Sequence, residues 1–315
     1  MSLPNDVPGD GTDPNVLPGG FPQLPLPLRW KTLARLWYRW KAVYRRYRIR
    51  PLPTLLLGPQ YRRSRDLIEI DITYRCNLRC INCNRSIARA PEDLDLPFEK
   101  VAEFVEDSLR RGIRWRRIRL LGGEPTAHPD FLRIVELLRG YRSRGNPCSI
   151  EVVTNGYGED VARVLARVPS DVWIENSRKR PGIQPRFRPF STAPSDDPDY
   201  TDADFSNGCE IMQSCGAGLT PTGYYPCAIA GGIDRIAGER HGRERLPDSS
   251  DDMADILEWS CRLCGRFKDG HHLPDFVPLP VLTTEQISPT WERLYGEWNR
   301  RRRAAREAAR VHGST

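Results

Sequence analysis

The sequence holds no apolar run approaching the roughly 18–20 residues of a membrane span, which excludes a chain that crosses a bilayer as apolar helices. Its start lacks the charged residues and apolar stretch of a secretory signal, so a soluble, cytoplasmic protein is expected. It contains no internal repeat. Nine cysteines, an odd number in a chain without a secretion signal, argue against a disulfide framework. Hydrophobic residues at 39% and charged residues at 28% exclude wholesale disorder. A length of 315 residues fits one large domain or two modest ones.

Charge is unevenly placed. Residues 1–65 carry a net +9 and residues 292–315 a net +4, which leaves 66–291 at −6. The basic character belongs to the two ends.

Residues 1–28 hold seven prolines and four glycines, the composition of a disordered or extended leader. From Leu28 to Tyr47 the pattern is helical: Trp30, Leu33, Trp37, Trp40, Tyr44 and Tyr47 recur every three or four residues with Lys and Arg between them. Pro51 and Pro53 are expected to end that helix. An alternation then begins. Leu67–Thr73, Arg117–Leu121, Ser149–Thr154 and Asp171–Glu175 read as strands. Between them, Phe98–Leu109, Phe131–Tyr141 and Val161–Val168 carry one-sided apolar helical faces. Strands alternating with helices imply right-handed βαβ units and a parallel sheet. Residues 180–208, with five prolines and no period, read as a long loop. Residues 215–230 read as a hairpin turning at Thr220-Pro221-Thr222-Gly223, Met253–Trp259 as a short helix and 292–310 as an Arg-rich helix.

Two cysteine clusters carry the chemistry. Cys76, Cys80 and Cys83 lie in the loop after the first strand. Three thiolates within eight residues suit three irons of a [4Fe–4S] cube and leave the fourth open to a ligand. A zinc knot would want a fourth nearby thiol or imidazole, which this loop lacks. Parallel α/β sheets and barrels place their sites at strand C-termini. Gly122-Gly123-Glu124-Pro125 follows the second strand and Asn155-Gly156 the third, so these ends converge on one mouth. Paired glycines let backbone approach a ligand closely.

The C-x3-C-x2-C loop, the Gly-Gly-Glu-Pro segment and the Thr-Asn-Gly strand end together resemble the radical S-adenosylmethionine (radical SAM) enzymes over roughly residues 66–180. The resemblance implies that Cys76, Cys80 and Cys83 hold the cluster and that SAM chelates its open iron. It implies that Gly122, Gly123 and Glu124, with Pro125 in the same segment, receive the methionyl group. Asn155, Gly156, Glu175, Asn176 and Ser177 would face the rest of SAM. It further implies reductive cleavage of SAM to a 5′-deoxyadenosyl radical that abstracts a substrate hydrogen, with the hard chemistry in the cofactor. Asn82 departs from the family pattern, which has an aromatic before the third cysteine.

The second cluster comprises Cys215, Cys227, Cys261 and Cys264, two on the hairpin and two in a C-x2-C. Four thiolates suit zinc and [4Fe–4S] alike. The segment resembles the twitch extension, the shorter relative of the SPASM domain, and this implies an auxiliary [4Fe–4S] cluster. Cys209 stands spare: a loop residue, a replacement for Cys215, or a catalytic thiol returning a hydrogen atom to a substrate radical. Cys148 is expected to be small and buried, His128 to stabilise a turn, and His271-His272 to be solvated. The aromatic stripe of the first helix is expected to pack on the barrel; a nucleic-acid surface and a membrane interface are the alternatives.

The expected fold is α/β, a partial, shortened parallel β/α barrel of radical SAM type with a small C-terminal hairpin-plus-helix extension that binds a cluster. The expected divisions are a leader at 1–28, a basic aromatic helix and linker at 29–65, the radical SAM core at 66–208, the extension at 209–275 and an Arg-rich helix and tail at 276–315. The expected activity is oxidation, or rearrangement or epimerisation, of a small biosynthetic substrate, with an electron donor such as flavodoxin or ferredoxin. Maturation of a ribosomal peptide, RNA modification, and a non-enzymatic iron–sulfur or zinc binding protein are the alternatives.

Overall fold

The computed structural model describes residues 28–184, 190–270 and 284–312. The Pro/Gly-rich leader, apart from Leu28, and His271-His272 lie outside them. Helix α1 spans Leu28–Arg48 and α2 spans Pro51–Leu57. Pro51 ends one helix and, at the first position of the next, starts another, because its missing N–H has no intrahelical partner there anyway.

The core alternates as expected: β1 (Leu67–Thr73), α3 (Phe98–Arg110), β2 (Arg117–Gly122), α4 (Phe131–Ser143), β3 (Ser149–Thr154), α5 (Glu159–Leu165) and β4 (Trp173–Asn176). Then come α6 (Ile211–Ser214), β5 (Ala217–Thr220), β6 (Gly223–Tyr225), α7 (Ala228–Ala237), α8 (Ala254–Cys261), α9 (Arg266–Asp269) and α10 (Pro289–His312). The sheet order is β4-β3-β2-β1-β5-β6, parallel except for the β5–β6 hairpin. It is an open, mostly parallel α/β sheet, as a partial barrel requires.

The hairpin expected in a separate extension is thus part of the core sheet. Its first strand is the fifth parallel strand, with Ile68 opposite Ala217 and Ile70 opposite Leu219. Gly218 permits this: a Cβ there would collide with the backbone of Ala228 at the start of α7.

Strand alternation sorts the two faces. Ile68, Ile70, Ile72, Ile118, Leu120, Ile150 and Val152 bury completely against Phe104, Val105, Ile134, Val135 and Leu138 of α3 and α4. The other face is charged. Arg119 of β2 reaches Glu69 of β1 at 3.4 Å, Glu151 of β3 at 3.0 Å and Glu175 of β4 at 3.1 Å. Arg85 grips Asp71 with two 3.0 Å bonds and Glu69 at 3.3 Å.

The C-terminal helix is only half solvated. Trp291, Tyr295 and Trp298 of α10 are buried with Phe190 and with Ile229, Ile233 and Ile236 of α7.

Candidate functional site

The first site is built on the loop that leaves β1. Cys76, Cys80 and Cys83 line one cavity together with Gly122, Gly123 and Asn155, and with Lys179 and Gln184 from the segment after β4. Sequence reasoning missed these last two, which lie in the irregular chain beyond the last core strand. Burial pushes the Cys76 thiol up to about 12, against a 3.4 Å bond donated by the Leu78 N–H. Burial also raises Cys80, whose sulfur accepts from Gln184 Nε2 at 3.4 Å. Asn155 Nδ2 approaches Cys76 Sγ at 3.8 Å and donates to Asn77 Oδ1 at 2.8 Å, so the β3 end orients the cysteine loop.

The two glycines seat backbone on backbone. A Cβ on Gly122 would strike the Thr73 carbonyl, and one on Gly123 the Arg75 carbonyl. The space is taken because Gly123 N donates to Thr73 O at 2.7 Å and Glu124 N to Arg75 O at 2.8 Å.

Behind that wall stands a positioning set. The buried Glu124 carboxylate accepts from Thr154 Oγ1 at 2.9 and 3.0 Å, from Asn155 N at 2.8 Å and from both Thr126 donors. Its pKa is raised because burial outweighs these bonds. Pro125 opens the short turn after it. Gly156 packs on the Asn176 side chain, whose Oδ1 accepts from Arg178 N at 2.9 Å. Ser177 bonds the Thr154 carbonyl through N and Oγ. These residues fix the strand ends, while the cavity wall itself comes from Gly122, Gly123 and Asn155. His128 is buried, accepts from Asp130 N at 2.9 Å and bonds Leu96 O at 3.0 Å, which is a turn-holding role.

The second cysteine set assembles differently from the sequence expectation. Cys209, Cys227, Cys261 and Cys264 line one largely apolar cavity with Met212, Ile233 and Phe267. Cys215 is absent from it. That residue sits beside Glu69 and Arg119, and burial, with the Glu69 charge, pushes its thiol up to about 12. The reason lies in the chain path: Cys215 enters β5, whereas Cys209 precedes α6 and turns toward α8 and α9. Cys209, for which the sequence left open a loop residue, a replacement for Cys215 and a hydrogen-donating thiol, stands in the second cavity and not in the first.

Both donor sets fit iron–sulfur ligation. Burial raises all four thiols of the second set, Cys227 and Cys261 well above the usual range. Backbone N–H groups oppose this: Ile211 toward Cys209, Ala230 toward Cys227, and Arg266 and Phe267 toward Cys264. Cys227 also caps the N-terminus of α7, where partial positive charge favours a thiolate. Two buried cations, Arg45 and Arg266, lie alongside. Among the described residues, no three His, Cys, Asp or Glu side chains are grouped tightly enough to enclose a single metal ion; both cysteine sets line cavities instead.

The open, mostly parallel sheet carries three thiols and a Gly-Gly segment at its strand ends, where α/β folds place their sites. Residues 70–175 match the family model "Radical SAM superfamily". The chain carries a radical SAM domain over those residues. Among curated proteins it is similar to a GTP 3′,8-cyclase of Nautilia profundicola, 34% identical over 104 residues, or 32% of this chain and 31% of the relative. A GTP 3′,8-cyclase of Listeria monocytogenes is 33% identical over 102 residues, covering 32% of this chain and 29% of the relative. The chain spans about a third of the length of these curated relatives. Among solved structures, BtrN in complex with AdoMet and 2-DOIA superposes with a TM-score of 0.37 at 15% identity, covering 67% of this chain and 89% of that one. Streptococcus suis SuiB bound to precursor peptide SuiA gives 0.34 at 12% identity, covering 84% of each chain.

Proposed function

We propose that this chain is a radical SAM enzyme acting on a small polar biosynthetic substrate, by oxidation or by rearrangement or epimerisation. The observation that carries the reading is the cavity at the strand ends, where Cys76, Cys80 and Cys83 meet Gly122, Gly123 and Asn155. Bound there, a [4Fe–4S] cluster and SAM supply a 5′-deoxyadenosyl radical that abstracts a substrate hydrogen.

The chain's own part is to bind, orient and exclude. The three thiols hold three irons. Gly122 and Gly123, seated on the Thr73 and Arg75 backbone, form the cavity wall that would face the methionyl end of SAM, and Asn155 orients the cysteine loop from β3. Lys179 brings a cation to the same cavity. The charged inner sheet face of Arg119, Glu151 and Glu175 offers paired charges to a polar substrate.

In this reading Cys209, Cys227, Cys261 and Cys264 hold an auxiliary [4Fe–4S] cluster, and Cys215 is no ligand. A cytoplasmic location and an electron donor such as flavodoxin or ferredoxin complete it.

The test is 5′-deoxyadenosine formation after reduction with SAM present. The reading predicts product from the wild-type protein and none from Cys76→Ala. No product above that control, with the first cluster intact, would leave a binding protein instead.

A further inference from the structure

Helix α1 packs on the body with the wrong face for a core helix. Arg45 and Arg48 are buried. Arg45 donates to Gly208 O at 2.6 Å, Phe267 O at 3.0 Å and Gln60 Oε1 at 2.7 Å. Arg48 donates to Pro53 O at 3.2 Å and Gly58 O at 2.8 Å. The apolar side is left out. Leu33, Leu36, Trp37, Trp40, Val43, Tyr44 and Tyr47 are all exposed, with both tryptophans more than half exposed, at 55% and 52%. This overturns the expectation that the aromatic stripe packs on the barrel. The cationic groups of Arg45 and Arg48 already bind backbone carbonyls there, which turns the stripe outward.

At 3.6 residues per turn these seven positions fall within about 120° of the helix, a single stripe. Trp37 stacks on Trp40 at 5.1 Å, and Trp40 on Tyr44 at 5.2 Å, and among the described residues nothing covers this face. Helix α2 continues it. Pro53 and Thr54 turn inward, while Leu52, Leu55, Leu56 and Leu57 are exposed, Leu55 at 81%. Exposed apolar surface of this extent marks an interaction site.

Charge selects the occupant. Residues 28–57 contain nine Lys and Arg and no Asp or Glu. Arg39, Arg46 and Arg50 are exposed beside the stripe. We propose that α1 and α2 form a peripheral docking surface for an anionic lipid bilayer, lying in the interface with the Trp, Tyr and Leu side chains among the acyl chains and the arginines at the headgroups. Tryptophan and tyrosine favour that boundary because each has an apolar body and a polar edge. A second copy fits poorly, since a two-fold contact would bring the exposed Arg39, Arg46 and Arg50 of one copy onto those of the other with no acid in either segment. A nucleic acid would use the arginines and aromatics but leaves the leucines of α2 unpaired. No described helix is long and apolar enough to cross a membrane, so docking is to one leaflet.

The test is co-flotation of the full, cluster-reconstituted chain with vesicles of phosphatidylcholine alone and of phosphatidylcholine mixed with phosphatidylglycerol. Binding to the mixed vesicles is expected, weakening as salt rises. Trp37→Ser with Trp40→Ser, and separately Leu55→Asn with Leu56→Asn, are each expected to lower partitioning by about tenfold or more. Arg39→Gln and Arg50→Gln are each expected to lower it about fivefold on anionic vesicles. All these side chains are exposed, and unchanged circular dichroism and iron content confirm folding. Tryptophan quenching by brominated acyl chains is expected in the wild type and lost in the serine variant. Three results would overturn the proposal: wild-type protein that stays with the solution, a dimer that the apolar substitutions dissociate, or RNA binding abolished by the same substitutions with no vesicle binding.

Discussion

Asn82 and Gln184 exchange two hydrogen bonds of 2.9 Å, Asn82 Nδ2 to Gln184 O and Gln184 N to Asn82 Oδ1. This clasp joins the cysteine loop to the segment after β4, and the neighbouring Ile81 N donates to Gly182 O at 3.1 Å. The residue that departs from the family pattern thus has a positive role here. An aromatic side chain offers no such amide pair.

Asn82→Ala leaves two backbone groups without partners in a largely buried place. The expected loss is about 1–3 kcal/mol in chemical denaturation of the metal-free protein. Faster amide exchange confined to residues 178–184 is expected with it. Unchanged exchange there would show that the clasp does not hold the loop.

Arg85 neutralises two carboxylates on the inner sheet face, where Glu69 and Asp71 are almost fully buried. Arg85→Met strands Asp71 and leaves Glu69 with Arg119 alone, and removing one partner of a buried ionic group costs about 3–5 kcal/mol. Burial raises the Asp71 pKa even in the presence of the arginine, and its loss raises it further. A carboxyl with a raised native pKa costs stability above its ordinary value, and the cost is relieved as pH falls through the raised one. The deficit of Arg85→Met is therefore expected to be largest at alkaline pH and to shrink as pH falls toward the ordinary carboxylate range in urea titrations.

Arg243 works in the opposite sense. It bonds Asp251 at 3.0 Å and Asp255 at 2.8 and 2.9 Å, and its backbone pairs with Tyr224 of β6. Bonds from Arg243 hold both carboxyls below their ordinary range. Depressed carboxyls contribute stability that is present above the ordinary pKa and is lost as pH falls through the native one. Because the groups are largely solvated, Arg243→Met is expected to cost no more than about 1 kcal/mol at pH 7. The difference in Tm should close as pH falls below the ordinary carboxylate range.

The sequence made the outer half of the fold legible. Ile68, Ile70 and Ile72 alternate with polar residues, and Val101, Phe104 and Val105 recur at helical spacing, so β1 and α3 announce their buried faces. The hairpin of β5 and β6 was legible from its turn at Thr220-Pro221-Thr222-Gly223, but the parallel pairing of β5 with β1 was not, because Ala217-Gly218-Leu219-Thr220 is short, buried throughout and lacks a polar alternation, and its glycine serves the contact with α7. α7 was missed for the same reason: it is buried all round and shows no polar face. The first cysteine set was readable from spacing because its members share one loop. The second was not fully readable. Choosing Cys209 over Cys215 depends on which way the chain turns before β5, a long-range matter. The stripe of α1 was visible, but not its direction, which hangs on where Arg45 finds its carbonyl partners.

Two separate four-iron sites are proposed, the second held by Cys209 and not by Cys215. The direct measurement is iron and acid-labile sulfide per chain, after reconstitution without oxygen, in the wild type, Cys209→Ala and Cys215→Ala. About eight irons and eight sulfides are expected for the wild type and for Cys215→Ala, and about four of each for Cys209→Ala. About four irons with one zinc in the wild type, or loss of iron in Cys215→Ala with Cys209→Ala unaffected, would contradict the proposal.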